Sequence, residues 1–254
     1  ILKKNFCRNN KNYIDSSSPI TIINEAIYPI ETLCVYFKNE KNLGITLSHN
    51  RLLDLAQGVY LAVMDHDDVM DKNRLAKQVA YMEANPSVGV CGTAYRRFWD
   101  WKKSKTIYPT EHSEDIKAEL FFRCPLLHPS LMIRAQVIKE HHIFYNADYI
   151  SANDRHLYLD IMPYADFHNL QEVLMCYRIH ANMTSKTKRD AIVAEQKRLR
   201  SEMLANVGAK LSADEERILN DFVLKGRCRI KEAGILAQVV NILEKIDKAN
   251  QKSH

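Results

Sequence analysis

Between Leu43 and Gly92, short apolar runs alternate with helically spaced apolar residues, and this alternation restricts the possible folds more than any other feature of the chain. Leu52, Leu55 and Ala56 share one helical face, and Gly58 supplies the stop. Tyr60-Leu61-Ala62-Val63-Met64 is then an unbroken apolar run of the kind buried on both faces of a parallel sheet. Leu75, Val79 and Met82 mark a second helix that Asn85-Pro86 ends, and Val88-Gly89-Val90-Cys91 reads as the next strand. Units of this kind predict an α/β fold with a mostly parallel sheet flanked by helices.

The pattern changes near Ser185. From about Thr187 the sequence is helical and rich in charge, with Ser212-Ala213-Asp214-Glu215 as a capping box and Ile235, Val239, Ile242 and Ile246 on one apolar face. The expected organisation is therefore a sheet domain over residues 1–185 and a helical extension over 186–254 packed against it. A basic helix touching a membrane or a partner is the alternative reading of that extension.

Composition narrows the chemistry. With 254 residues, 46% hydrophobic and 26% charged, the chain is of ordinary globular character. The 36 Lys and Arg against 31 Asp and Glu leave a modest positive excess that suits an anionic ligand or lipid headgroups. The basic residues are dispersed and carry no nucleic-acid signature. No apolar run approaches the length needed to cross a bilayer, and the first residues build no signal peptide, so a cytoplasmic protein is expected, with possible peripheral contact at the inner face of the membrane. The six cysteines form no C-x-x-C pair, which fits a reducing compartment, and the seven glycines form no P-loop.

Asp65-His66-Asp67-Asp68 follows the Tyr60–Met64 strand directly, at the carboxyl end where open α/β sheets gather their ligands. Carboxylates this close repel unless a cation or basic group neutralises them, and all-oxygen ligands select Mg²⁺ or Mn²⁺. Alone, the motif reads equally as a solvated acidic turn before the helix near Lys72.

Several further segments, in order and at comparable spacing, resemble the family 2 glycosyltransferases. They are Asn39-Glu40-Lys41-Asn42-Leu43-Gly44 with Asn50, the Asp65–Asp68 loop with Asn73-Arg74-Leu75, His128-Pro129-Ser130, Ala152-Asn153-Asp154, and Tyr177-Arg178-Ile179-His180 with Thr184-Ser185. The resemblance covers roughly residues 1 to 190. It implies a GT-A fold, a nucleotide-sugar donor of uridine diphosphate type, a divalent metal, and inverting transfer to a saccharide or lipid-linked acceptor in surface polysaccharide assembly. It places Asp65 and Asp67 on the metal, with Asp65 also near the ribose. His180 becomes a further metal ligand, Asp154 the base that takes the acceptor's proton, and Asp15, Asn42 and Asn50 donor contacts. His66 is expected to be a spectator.

Two departures accompany it. The family usually has Glu-Asp where this chain has Asn153-Asp154, and Tyr13-Ile14-Asp15-Ser16-Ser17-Ser18 keeps one acid of the family's Asp-Asp-Gly-Ser turn. The segment before Phe6 resembles the helix after the family's first strand, so an N-terminal truncation of roughly 30 residues is expected. Two alternatives stand beside the transferase. One is a catalytically impaired binding subunit, favoured by Asn153 and the reduced Asp15 turn. The other is a haloacid dehalogenase-type phosphatase with Asp65 as nucleophile and Asp67 as acid, which lacks its usual late acidic pair here.

Overall fold

The computed structural model describes residues 37–100, 103–181, 183, 188–224 and 233–253. The first helix, α1 (Gly44–Leu55), starts at a left-handed Gly44 with φ of 75° whose N–H is held by Asn42 Oδ1 at 2.8 Å. Then come β1 (Tyr60–Ala62), β2 (Val69–Met70), α2 (Arg74–Ala84), the long β3 (Val88–Asp100), β4 (Lys103–Ile107) and α3 (Ser113–Leu120). A 3₁₀ turn at His128–Ser130 leads to β5 (Met132–Arg134), α4 (Ala135–Glu140), α5 (Asn153–Ile161) and β6 (Asp166–Arg178). Three helices complete the chain: α6 (Arg189–Asn206), α7 (Ala213–Leu224) and α8 (Ala233–Ser253).

The strands form one sheet in the order β1-β5-β3-β6-β2, with β4 paired to the outer half of β3. The α/β class is as expected, but the sheet is mixed among the described residues. The β3–β6 pair is parallel, whereas β1–β5, β3–β5, β3–β4 and β2–β6 are antiparallel. Apolar runs report burial rather than direction, so direction is seen only in these pairings; residues 1–36, which hold the expected helix end and the Tyr13–Ser18 turn, lie outside the described residues.

Alternation along the strands fills both faces. Leu61, Val90 and Ile133 point into a core with Ile116, Leu120, Leu157 and Ile161, while Tyr60, Cys91 and Met132 pack against Met82 of α2. Gly89 is needed where β3 passes the chain before β6, since a Cβ there would collide with Ala165. The Ser212 box forms as read: Ser212 N–H donates to Glu215 Oε2 at 2.9 Å and Glu215 N–H to Ser212 Oγ at 3.2 Å. Leu204, Leu219 and Ile242 make a small core of the helical extension, and Phe121, from the end of α3, packs into it. The extension is thus seated on the sheet domain.

Candidate active site

Because β1 and β2 lie at opposite ends of the strand order, residues 63–68 must carry the chain across the sheet, and this crossing contains the acidic loop. The Tyr177-Arg178-Ile179-His180 segment, at the end of β6, pins it. Buried Asp68 accepts the Arg178 N–H at 2.8 Å, and Arg178 Nε donates to the Asp67 carbonyl at 2.8 Å while its guanidinium stacks on Phe98 at 4.6 Å. His180 Nε2 lies 2.9 Å from Asp67 Oδ2. The structure therefore brings together Asp67 and His180, 113 residues apart in sequence. His66 is about half exposed, with Nδ1 4.0 Å from Asp67 Oδ1.

Asp65 is half-buried, and its carboxyl is pushed up to about 6, chiefly by burial and then by the charges of Asp67 and Asp154, with His66 opposing. Asp154 is the last of these influences, which puts its carboxylate within electrostatic reach of Asp65. Asp154 stands in the first turn of α5, where its Oδ1 accepts the Arg155 N–H at 2.7 Å. Burial raises its carboxyl above the ordinary value, against the opposing pull of the Arg155 N–H and guanidinium.

One turn on from Asp154 in α5, Tyr158 belongs to a largely buried aromatic cluster. His128 Nδ1 is 2.6 Å from the Tyr158 hydroxyl and Nε2 is 3.2 Å from the Tyr145 hydroxyl. Burial lowers His128 to about 4 and, with a smaller contribution from the charge on His128, lowers His49 to about 3, so both rings are uncharged near neutral pH. An uncharged, buried cluster of this kind keeps the local dielectric low.

The remaining expected positions are accounted for as follows. Asn50 binds the Tyr145 backbone in both directions at 2.8 Å, so its carboxamide is engaged in the fold, and Asn42 caps α1. Asn153 is buried; its Nδ2 donates to Thr46 Oγ1 at 2.9 Å and its Oδ1 accepts the Asp154 N–H at 2.8 Å, tying α1 to α5. Asp15, Thr184 and Ser185 lie outside the described residues. Among the described residues, no three His, Cys, Asp or Glu side chains form a ready-made cation cage. Asp67 and His180, with Asp65 two residues away, offer a mixed carboxylate and imidazole set that suits Mn²⁺ better than Mg²⁺ and leaves positions for a diphosphate and water.

Sequence reasoning missed three contributors. Asp68 was read only as part of an acidic cluster, yet it anchors the loop. Arg74 is fully buried and donates through Nη2 to the Val63 and Leu131 carbonyls at 2.9 and 3.0 Å. Glu195, on α6, reaches the loop before α5. The motif Asn73-Arg74-Leu75 signalled the second; nothing local signals the third.

Residues 14–158, more than half of the chain, match the sequence profile of glycosyl transferase family 2. The chain belongs to this family. Among curated relatives, an uncharacterized glycosyltransferase of Haemophilus influenzae is 29% identical over 67% of this chain, and the amylovoran biosynthesis glycosyltransferase AmsE of Erwinia amylovora is 30% identical over 59% of it. The chain spans about half, 56%, of the length of each. Among solved structures, S. aureus TarS 1-349, also seen in complex with UDP, superposes with a TM-score of 0.51 at 16% identity, covering 83% of this chain and 62% of TarS 1-349. This likeness carries the fold, which is GT-A.

Proposed function

We propose that this family 2 domain transfers a sugar from a nucleoside diphosphate donor, of uridine type, to a saccharide or lipid-linked acceptor with inversion at the anomeric carbon. The observation that carries the reading is the joining of the Asp65–Asp68 loop to His180, with the Asp154 carboxylate in the same neighbourhood. TarS is known with UDP and UDP-GlcNAc bound, and AmsE is named for amylovoran biosynthesis, which supports a uridine donor and a polysaccharide setting. Asp65, Asp67 and His180 are the residues assigned to a divalent cation. Bound there, a cation supplies Lewis-acid neutralisation of the charge that gathers on a departing diphosphate. Asp154 accepts the proton of the acceptor hydroxyl as the new glycosidic bond forms and the bond to the diphosphate breaks. Asp15 is assigned a nucleobase contact, and Asn42 and Asn50 act on the donor side through the chain segments that they fix.

The test is a panel of nucleotide sugars assayed for hydrolysis and transfer with and without Mn²⁺. Asp67→Ala is expected to lose the metal response and about 10²-fold in kcat, the scale of removing one preorganised electrostatic stabiliser. Equal turnover with and without Mn²⁺ in the unaltered protein, at rates that Asp67→Ala does not change, would refute the metal assignment.

We also assign this domain a cytoplasmic location with peripheral contact at an anionic membrane face. No helix among the described residues is long and apolar enough to cross a membrane. The support for peripheral contact is a groove of about 550 Å³ where α8 meets the turn after α6, lined by Lys210, Lys245, Lys248 and Lys252. Cosedimentation with vesicles containing phosphatidylserine should fall as salt is raised. At about 1 kcal/mol per lysine near such a surface, Lys248→Ala combined with Lys252→Ala should weaken it roughly 20- to 30-fold. Binding that is indifferent to both changes would remove the assignment.

A further inference from the structure

We propose that Glu195, on the C-terminal helix α6, is a positioning residue for the base Asp154, gathering the backbone amides that lead into α5. This inference rests on the role given to Asp154 above. The Glu195 carboxylate accepts three successive N–H groups: Ile150 to Oε1 at 3.0 Å, and Ser151 and Ala152 to Oε2, each at 2.8 Å. Asn153 opens α5 and Asp154 follows it.

The reason that a remote residue does this is local. The N-cap position of α5 is Ala152, which has no side-chain oxygen, and α5 has no side-chain cap bond of its own at that position. Helix N-termini present donors that need acceptors, and a negative group is favoured there by the helix dipole. Of the N–H groups that Glu195 takes from 43 to 45 residues away, Ala152's belongs to the N-cap and the other two lead into it, and the carboxylate's charge lies at the favoured end of the dipole. A single face of α6 continues the clamp. Gln196 Oε1 accepts from buried Arg155, whose Nε also donates to the Leu120 carbonyl at 2.8 Å. Leu199 packs on Tyr149 and Ala152, and Glu202 Oε2 accepts the Tyr149 hydroxyl at 2.6 Å.

The helical extension is therefore part of the transferase machinery. Misplacing a reacting group by about 1 Å can cost about 10²-fold in rate. Glu195 touches neither Asp67 nor His180, so its loss should act on turnover and leave donor capture intact.

The experiment uses the full chain and three variants: Glu195→Ala, Glu195→Gln and Leu199→Ala. The last loosens the same helix contact without touching the carboxylate. Backbone amide exchange at residues 150–152, UDP binding with Mn²⁺ by calorimetry, and kcat and KM with whichever nucleotide sugar the unaltered protein turns over are measured for each. Glu195→Ala should speed exchange at 150–152 and lower kcat by about 10- to 100-fold, with UDP affinity and donor KM within about twofold. Glu195→Gln, which keeps one acceptor oxygen but turns a donor toward the remaining amide, should fall between. An unchanged kcat in Glu195→Ala would overturn the proposal, as would an equal kcat loss in Leu199→Ala at equal loss of thermal stability. If the unaltered protein turns over no nucleotide sugar, that result counts against the transferase itself. Amide exchange in Glu195→Ala then decides whether Glu195 orders the segment, and unchanged exchange overturns that as well.

Discussion

Asp154→Asn is expected to lower kcat for sugar transfer by about 10²- to 10⁴-fold while leaving UDP binding intact, the range attributable to a positioned general base. The substitution isolates the proton-accepting role. Asparagine has the same shape, and its Oδ1 can still accept the Arg155 N–H that Asp154 now accepts at 2.7 Å, so the first turn of α5 keeps its local bond. What disappears is an atom able to take a proton from an acceptor hydroxyl. Acidity gives a second readout. Burial raises the Asp154 carboxyl, Arg155 opposes that shift, and Glu195 adds a little to it, so the group is protonated at pH values where an ordinary aspartate is already ionised. A base must be unprotonated to act. Turnover should therefore fall as pH drops through a range above the usual carboxylate value. Asp65 is raised as well and adds its own share to the acid limb of a rate profile. In Asp154→Asn the residual rate should lose the Asp154 share of that limb. Retention of more than about a tenth of the normal kcat, within the ordinary reach of base catalysis, would sink the assignment.

The parts of this site differ in how far the sequence discloses them. Periodicity fixes β1, α2 and the start of β3, because a helix repeats its buried face every three to four residues and a fully buried strand is apolar throughout. It is silent on strand direction. Met132 and Ile133 alternate between the two faces of the sheet as they would in either orientation, and only the pairing of Leu61 with Ile133 and Ala62 with Met132 shows β5 running antiparallel to β1. The Asp67–His180 contact was foreshadowed by motif order, since two polar segments that each follow an apolar strand can meet at one end of a sheet. No comparable signal existed for Glu195. It lies on a charge-rich helix among other acids and bases, and its bonds go to backbone amides, which carry no side-chain identity to pair with. Asn153, where the family usually has a glutamate, is a buried link between α1 and α5, so this departure has a packing explanation.

Arg74→Leu should destabilise the fold by about 3–5 kcal/mol and, at roughly 2–4 °C per kcal/mol for a chain of this size, lower Tm by roughly 6–20 °C. Arg74 is fully buried on the inner face of α2, where a charge with no partners would be intolerable. It survives there because its fork is satisfied: Nη2 donates to the Val63 and Leu131 carbonyls, and Nε donates to Gln78 Oε1 at 2.9 Å. Gln78 in turn donates to the Cys91 carbonyl at 2.6 Å and the Ser130 carbonyl at 3.0 Å. The pair thus joins α2 to the carbonyls at the ends of β1 and before β5, and to β3. Burial lowers the guanidinium to about 10, which leaves it cationic at neutral pH, and Asp68 is among the groups that offset the cost. Leucine restores apolar volume but strands the Val63 carbonyl and Gln78 Oε1, each worth about 1–3 kcal/mol when buried and unmade, while the Leu131 carbonyl keeps the Val63 N–H at 2.9 Å. Lysine, with a point charge on a flexible stem, cannot reproduce the planar fork and should recover less than half of the loss. Because Val63 stands two residues before Asp65, the same change should also loosen the acidic loop and weaken UDP binding in the presence of Mn²⁺ even in the fraction that remains folded. Unfolding in urea together with calorimetry of UDP reads both effects. A variant that unfolds within about 1 kcal/mol of the unaltered protein, smaller than one stranded buried acceptor is expected to cost, would show that these carbonyls find other donors and that the strut is not what holds the loop in place.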